Sequence, residues 1–600
     1  MPIRKAGATR AGRNFLSAVG AWFGGGAGFD GALVVLFAVL AYRAAYGLVA
    51  FDSIAVPVFD FFGFRDLAES FSRLELPAFF KRGPGYPFLM ALWPFSFGGA
   101  DRLLQGGEVV SYLAGVGTLV FLYRWTRPRF GRAAVLVVAT AAGFATFVEH
   151  TIQPLCDVTL AFFVTAAAAE AGKGKGWAYV AAAFAAATRY EAAVLIPLVA
   201  LADYKHWRGR RRLIAYAALA AVPVGAWLAL SIVHSEVVNP YVEQMLALQP
   251  VGTAFLDVTA YAVFTPWVPH LVFVKYIFCA AAVAGIIVAV IRGGAGARVY
   301  AGFAACYVVI HMLFPFAFDR FVVPLIPLLA VGLVAAGQEI VRWAGRWNRG
   351  WVWLAAGVPA VAVWASGVFT SFTARREEPA LLVWGAALPL LILTVAAAGA
   401  AFFRRGVPRR EVAGRLGAAF VAVAILSFFV NGQMRFWESR WYSYRYGGST
   451  IRTAGEVLGK VARPDDTVCS AWGEVLLYYA RPTSFHTMLP RNMRPVKTRF
   501  FPGKAARRGV NYICYDSISA ADADTYFGSI TGAGLLARFA EGRNVPPYEH
   551  WVTLRRGWEY AHLYRRRPGW KPKSDGNASE KGIEGNEFSE GTEGETPGQE

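Results

Sequence analysis

Apolar runs long enough to cross a membrane recur between residues 31 and 432. Each run holds about 18 to 25 residues, and a helix of that length spans a hydrocarbon core of about 30 Å. Hydrophobic residues make up 56% of the 600 positions. The sequence therefore predicts a polytopic α-helical membrane protein with roughly 11 to 13 transmembrane segments, half-helices counted separately.

Positive charge is concentrated in short loops between the apolar runs. The formal net charge is +20, which in a soluble chain would point to nucleic acid. Lys and Arg beside membrane spans instead mark the cytoplasmic side. We therefore expect the lipid bilayer, and no nucleic acid, as a partner. The five cysteines show no CxxC or Cys/His metal spacing and so suggest no metal site. We expect no cofactor, and the sequence leaves open whether a divalent metal is required.

The composition changes near residue 433. Beyond it, β-rich runs and turn signals follow a segment with helical spacing, which predicts an α/β domain on the outer face. Cys469 and Cys514 fall in this domain and are either disulfide-bonded or buried free thiols. The predicted divisions are a basic cytoplasmic N-terminus (1–30), a transmembrane module (31–432) with a first outer loop (52–86), the α/β domain (433–566) and a disordered polar tail (567–600).

Loop charge predicts which side of the membrane each connection occupies. The segments "RWTRPRFGR", "RGGAGAR" and "RRGVPRREVAGR" are basic and are predicted to be cytoplasmic. A span from the first of these ends at "EHTIQPLCD" outside, and the next span returns to "GKGKG" inside. The other predicted spans are 31–51, 103–123, 213–233, 268–291, 299–317, 321–341, 351–370, 380–402 and 415–432.

One apolar stretch, "GWAYVAAAFAAATRYEAAVLIPLVALADY" from Gly176 to Tyr204, carries Arg189 and Glu191 in its middle. Basic residues flank both of its ends, so the charge rule places both ends in the cytoplasm. Two half-helices that enter the membrane and return satisfy both ends. Their apex falls near residues 188–191, and broken backbone at that depth has to line protein or a water-filled cavity. The alternative is a single span with Arg189 and Glu191 paired structurally.

The first outer loop is dense in ionisable residues and ends in a rigid turn. Asp60, Asp66 and Glu69 precede Lys81 and Arg82, and the Pro and Gly residues of "RGPGYP" break any helix there. A carboxylate at this position is suited to take a proton from an acceptor hydroxyl. The alternative is a solvated loop with ordinary surface charges.

Four segments, in order along the chain, resemble C-type (GT-C fold) glycosyltransferases of the family 39-like branch, which uses polyprenyl-phosphate sugar donors. They are "DFFGFRDLAESFSRLELPAFFKRGPGYPFLMAL" (60–92), "QPLCDVTLAFF" (153–163), "ATRYEAAVLIPL" (187–198) and "DRFVVPLIPLLA" (319–330). The branch is related to dolichyl-phosphate-mannose protein mannosyltransferases and lipid A aminoarabinose transferases. The resemblance implies that 31–432 is a catalytic hexosyltransferase module in the cell membrane, active on the extracytoplasmic side.

The resemblance also implies roles for individual residues. Asp60 is expected to deprotonate the acceptor hydroxyl for a displacement that inverts the anomeric carbon. Arg189 and Arg320 are expected to hold the donor phosphate, because a guanidinium presents a planar fork of donors. Asp157 is a second catalytic carboxylate, and it or Glu149 is expected to help bind the acceptor or sugar. The further substrate-binding candidates are Arg82, Tyr86 and Glu191.

Two of these assignments have rivals within the sequence. Asp52 lies in a second "FD" pair near Asp60. The Pro that usually follows the second acidic residue is absent after Asp157, and Pro154 precedes it instead.

Two other classes of protein also fit membrane-embedded charges: a transporter or flippase of a lipid-linked or sugar substrate, and an assembly protein without chemistry. The acceptor is left open among glycan, lipid and protein.

Overall fold

The computed structural model describes residues 59–77, 80, 82–96, 101–205, 210–234, 250–264, 272–314, 318–347, 449–480, 483–488, 501–517, 533–556 and 559–570. The chain forms two compact units, Met1–Arg445 and Tyr446–Glu600, whereas the composition placed the division at residue 433. Asp52 and the predicted spans 31–51, 351–370, 380–402 and 415–432 lie outside the described residues, as does the tail beyond residue 570.

The first unit is helical. Its described helices are α1 (Phe59–Ser72), α2 (Gly85–Ala91), α3 (Arg102–Phe130), α4 (Ala134–Gly143), α5 (Ala145–His150), α6 (Asp157–Glu170), α7 (Trp177–Thr188), α8 (Leu195–Asp203), α9 (Arg210–His234), α10 (Ala254–Phe264), α11 (Val272–Arg292), α12 (Ala295–Met312) and α13 (Ile326–Trp347). Short 3₁₀ segments, Gly131–Ala133, Tyr190–Val194 and Asp319–Leu325, precede α4, α8 and α13.

Several of these helices have the length and composition of membrane spans. Within the described residues, four helical stretches qualify: Arg102–Phe130, Arg211–Val233, Ala295–Met312 and Asp319–Glu339. The prediction of a polytopic α-helical membrane protein is confirmed. The structure differs from the predicted spans in two places. It contains α10, which the hydropathy pattern did not reveal, and extended backbone at Phe144 separates α4 from α5.

The helices α7 and α8 form the hairpin that flanking charge predicted. α7 ends at Thr188, Arg189 is extended (φ −146°, ψ 132°), and the 3₁₀ segment turns the chain into α8. At the open end, Asp203 Oδ1 accepts hydrogen bonds from the backbone N–H groups of Gly172 (2.7 Å) and Gly174 (3.3 Å). In one straight helix these residues would lie about 45 Å apart. The chain therefore doubles back at the 3₁₀ segment, and the two ends of the stretch lie together.

Small residues let the membrane helices approach closely. α11 and α13 pack on each other at Gly285 and Gly332. An added Cβ on Gly285 would lie only 1.8 Å from the Gly332 carbonyl oxygen, and one on Gly332 would lie 2.3 Å from the Ala282 oxygen. Dispersion contacts between near-touching backbones hold helices together in lipid, where apolar burial supplies little driving force.

The second unit contains a five-stranded sheet. Its elements are α14 (Ser449–Val461), β1 (Thr467–Cys469), α15 (Gly473–Tyr479), β2 (His486–Met488), α16 (Phe501–Arg507), β3 (Val510–Asp516), α17 (Ala533–Ala540), β4 (Tyr548–Arg556) and β5 (Glu559–Arg566). The strand order is β2-β1-β3-β5-β4, with β1 parallel to β2 and β3, and β5 antiparallel to β3 and β4. The α/β prediction is confirmed.

The cysteines of this unit are free thiols. Cys469 on β1 pairs in register with Ile513 on β3, so the next residue, Cys514, points to the opposite face of the sheet. Both thiols are buried and unbonded. Burial raises the pKa of both groups, which keeps them protonated. Of the two states that the sequence left open, the structure has the free thiols.

A hydrogen-bonded chain of side chains joins the β4–β5 hairpin to α17. His562 Nε2 lies 3.1 Å from the Ala540 carbonyl oxygen, which only accepts, so we assign the proton to Nε2. His562 Nδ1 then accepts from the Thr553 hydroxyl (2.8 Å), which in turn accepts from His550 Nε2 (2.8 Å). His562 is therefore neutral in this arrangement, because its Nδ1 accepts a hydrogen bond, and burial lowers the pKa of His550, which favours its neutral form.

The β4–β5 hairpin should loosen below neutral pH. Burial lowers the pKa of both His550 and His562 below the usual imidazole range. Their stabilisation is complete above the unfolded pKa of about 6.5 and is lost as the pH falls through the folded values. Hydrogen exchange of the purified full chain measures this. Protection factors in β4 and β5 should fall between pH 7.5 and 5, by about tenfold per unit of pKa depression.

His562→Gln removes one titrating group and should weaken that pH dependence. The strands β1 and β3 of the same unit serve as the internal reference. Equal protection factors for β4 and β5 at the two pH values would contradict the assignment of neutral, buried imidazoles.

Candidate functional site

Arg189, at the tip of the α7–α8 hairpin, is held by two carboxylates. Its Nη1 donates to Asp157 Oδ1 at 2.6 Å, and its Nη2 donates to Glu191 Oε1 at 2.9 Å. The side chains are 13%, 2% and 17% exposed for Arg189, Asp157 and Glu191, so water does little to weaken these ion pairs. Asp157 is the first residue of α6 and lies next to the buried Cys156.

The ring of Phe321 brings a second arginine to the same place. The guanidinium carbon of Arg189 lies 4.7 Å from the ring centroid, and that of Arg320 lies 5.1 Å from it. Arg320 also stacks on Phe318 at 5.2 Å. The two guanidinium groups on one aromatic ring place two positive charges close together, which favours an anion beside them. Cation–π contacts with the ring do not supply that anion. Arg189 and Arg320, predicted together from sequence, are brought together by the fold.

The turn of the first outer loop packs directly on the hairpin tip. A Cβ on Gly83 would lie 2.4 Å from the Ala187 carbonyl oxygen, and one on Gly85 would lie 3.0 Å from the Thr188 nitrogen. Only glycine permits this approach at Gly83. Trp227 of α9 fixes the turn from the other side, because its Nε1 donates to the Arg82 carbonyl oxygen at 2.9 Å. The loop therefore meets the tip one residue before Arg189.

Asp60, the predicted general base, is the second residue of α1, and its side chain lies outside the described part of the structure. α1 itself is anchored, since Arg65 Nε donates to Asp101 Oδ2 at 2.9 Å. Asp101 also caps α3 by accepting from the Leu103 N–H at 2.8 Å. The Arg82 guanidinium lies 4.6 Å from the Phe64 ring of α1. The loop turn and α1 are thus one packed layer.

The other substrate-binding candidates differ in their surroundings. Tyr86 is fully buried, and its hydroxyl donates to the Gly107 carbonyl oxygen at 2.8 Å beside Ser111. This hydroxyl fastens α2 to α3, and the role of Tyr86 in substrate binding stays a prediction. Glu149 is half-buried on α5, which packs against the Asp319–Leu325 segment that carries Arg320. Glu191 is a partner of Arg189, as described above.

The structure adds residues that the motifs did not include. The buried Cys156 lies within range of the charges of Asp157 and of the Arg189, Arg320 and Arg82 guanidinium groups. Tyr307 and His311 of α12 lie within range of the charges of Arg189, Asp157 and Glu191. No group of three or more potential metal ligands occurs among the residues that the structure describes. The site thus brings three arginines together with the buried carboxylate of Asp157 and the partly buried carboxylate of Glu191.

No protein-family model and no curated protein sequence matches the chain significantly. Among solved structures, ArnT from Cupriavidus metallidurans bound to undecaprenyl phosphate aligns with a TM-score of 0.51 at 14% identity, over 91% of this chain and 100% of that chain. ArnT from the same organism in the apo state gives 0.51 and 14%, over 89% and 98%.

A third similar structure is the archaeal oligosaccharyltransferase AglB from Archaeoglobus fulgidus, in complex with an inhibitory peptide and a dolichol-phosphate. It aligns with a TM-score of 0.48 at 11% identity, over 84% of this chain and 72% of that chain. The fold assignment depends on the two ArnT structures. They show that the chain has the GT-C fold, as the sequence motifs predicted.

Gly83→Ala should disturb the contact between the loop turn and the hairpin tip. The new methyl group would overlap the Ala187 carbonyl oxygen, a backbone atom that cannot rotate away. Overpacking of this kind typically costs about 1 to 3 kcal/mol. The melting temperature of the purified protein in detergent should therefore fall. Gly225→Ala on α9 is the matched control, because its Cβ meets no atom within 4 Å. Equal melting temperatures for the two variants would show that the turn does not press on the tip.

Proposed function

We propose that this chain is an integral membrane glycosyltransferase that moves a sugar from a polyprenyl-phosphate-linked donor to an acceptor on the extracytoplasmic side. The observation that carries the proposal is Arg189, fixed at a buried hairpin tip with Arg320 on the same Phe321 ring. The GT-C fold that this chain shares with ArnT, a protein whose solved structure contains undecaprenyl phosphate, supports a lipid phosphate as the anion.

The donor phosphate binds to the guanidinium donors that the carboxylates leave open. Arginine has five N–H donors, and Asp157 and Glu191 engage one each through Nη1 and Nη2 of Arg189. The other donors of Arg189 face phosphate oxygens, and Arg320 supplies a second positive charge. Charge-assisted bonds of this type are about twice as strong as neutral hydrogen bonds.

Asp157 and Glu191 act as positioning residues. With two carboxylates against Arg189 and Arg320, the four groups sum to no net charge before the donor arrives. The carboxylates thus offset two of the three arginine charges of the empty site, because uncompensated charge at membrane depth is strongly unfavourable. They also fix the Arg189 fork in one orientation, so that less freedom is lost when phosphate binds. Asp157 therefore contributes through Arg189 in this proposal.

The reaction is a single displacement at the anomeric carbon. Asp60 takes the proton from the acceptor hydroxyl as that oxygen attacks, the bond between the anomeric carbon and the phosphate oxygen breaks, and the sugar inverts. The leaving polyprenyl phosphate keeps the bonding electron pair and gains one negative charge. Arg189 and Arg320 stabilise that developing charge. Arg82 adds a third cation from the loop turn, and Glu149 is placed to bind the sugar or the acceptor.

Measurements of lipid affinity and of turnover should distinguish the residues that bind phosphate from the general base. Arg189→Ala removes a charge-assisted contact, a loss of about 2 to 5 kcal/mol, so undecaprenyl phosphate affinity should fall by at least tenfold in nanodiscs. Arg320→Ala should weaken binding too, while it leaves the Arg189 ion pairs in place. Asp60→Asn should keep lipid binding and lose about 10² to 10⁴ in turnover. Arg298→Ala, an exposed position on α12, is the control and should change neither quantity.

Each outcome assigns a role. Wild-type turnover in Asp60→Asn would move the base to Asp52 or Asp157. Unchanged affinity in both Arg189→Ala and Arg320→Ala would return Arg189 to a structural partner of Asp157 and Glu191. A wild-type chain that binds no polyprenyl phosphate at all would overturn the proposed function.

A further inference from the structure

Two buried polar atoms beside the Arg189 cluster have no hydrogen-bond partner in the described part of the chain. They are the hydroxyl oxygen of Tyr307 and Nε2 of His311, both on α12 and both on side chains that are 0% exposed. An unpaired donor or acceptor in the interior is unfavourable, and the great majority of such groups in proteins are paired. Two in adjacent turns of one helix indicate a place where a bound molecule supplies the missing bonds.

These atoms lie next to the site already described. Tyr307 and His311 are one helical turn apart on the same face of α12, with ring centroids 4.0 Å apart. The His311 ring lies 4.9 Å from the ring of Phe321, on which Arg189 stacks. Both side chains lie within range of the charges of Arg189, Asp157 and Glu191. The unpaired atoms therefore belong to the neighbourhood of the phosphate site.

The hydrogen-bond pattern of His311 determines what its free nitrogen can bind. Nδ1 lies 2.8 Å from the Tyr307 carbonyl oxygen, which can only accept, so we assign the ring proton to Nδ1. In the neutral imidazole Nε2 is then an acceptor. A phosphodiester oxygen is also only an acceptor and cannot pair with it. The partner of Nε2 has to carry a hydrogen, as a hydroxyl group does.

We propose that Tyr307 and His311 bind a hydroxyl group of the donor sugar. The sugar hydroxyl donates to His311 Nε2 and accepts from the Tyr307 hydroxyl, which satisfies both unpaired atoms at once. This inference rests on the proposed function, because the sugar reaches these residues only if its phosphate lies at Arg189. The sugar is bonded directly to that phosphate, so its hydroxyls are the first available beside it. Tyr307 and His311 thus bind the sugar, whereas the arginines bind the phosphate.

A comparison of two lipids tests the proposal in the full chain in nanodiscs. The probes are undecaprenyl phosphate alone and a panel of undecaprenyl-phosphate-linked hexoses and pentoses, of which the tightest binder to wild type is used. Tyr307→Phe and His311→Phe each remove one polar atom and keep an aromatic ring. Each should weaken binding of the sugar-bearing lipid by about 3- to 10-fold and leave undecaprenyl phosphate unchanged. His311→Gln, which restores an acceptor, should recover part of the loss.

Tyr300→Phe is the matched control on the same helix. Tyr300 is equally buried, but its hydroxyl donates to the Pro324 carbonyl oxygen at 2.8 Å. Its loss should lower stability and leave the ratio of the two affinities unchanged.

Three results would overturn the inference. Equal weakening of both lipids would make Tyr307 and His311 contacts to phosphate or supports of Arg189. Unchanged binding of both lipids would make them packing residues. A wild type that binds the sugar-bearing lipids no better than undecaprenyl phosphate would exclude a sugar contact. Failure to bind either lipid is a different result, because it overturns the proposed function itself.

Discussion

An arginine inside a membrane module needs opposite charge around it, because a lone charge at bilayer depth is strongly unfavourable. Arg189 meets this need through Asp157 and Glu191, which come from the start of α6 and from the hairpin tip itself. This pairing explains why the helix is interrupted at Arg189. A continuous helix would carry Arg189 and Glu191 on different sides, whereas the extended residue and 3₁₀ turn place both on one guanidinium.

Several elements of the first unit contact the ion-paired hairpin tip. Gly83 allows the first outer loop to touch the backbone just before Arg189, and Trp227 holds that loop by its Arg82 carbonyl. The Phe321 ring, on which Arg189 stacks, also contacts the Arg320 guanidinium. Helices packed through small residues can hold such contacts at fixed distances, since their backbones are in near contact. Residues from distant parts of the sequence thus meet at the hairpin tip.

Sequence patterns predicted much of this fold and part of the site. Flanking charge predicted the hairpin, because the positive-inside rule acts on loops whatever the tertiary packing. Motif order predicted the meeting of Arg189 with Arg320. The motif that includes Tyr86 does not reveal that its hydroxyl donates to the Gly107 carbonyl oxygen, because that contact joins two different helices. The i, i+4 spacing of Tyr307 and His311 in an apolar helix was a visible signal, but only the structure shows that their polar atoms are unpaired.

The central claim is that the buried tip arginine receives a lipid phosphate. A cryo-electron microscopy structure of the chain in nanodiscs with undecaprenyl phosphate tests it most directly. We expect the phosphate beside Phe321, within hydrogen-bond distance of the Arg189 and Arg320 guanidinium groups, with Asp157 and Glu191 still bound to Arg189. A phosphate bound elsewhere, with Arg189 contacting only its two carboxylates, would contradict the claim.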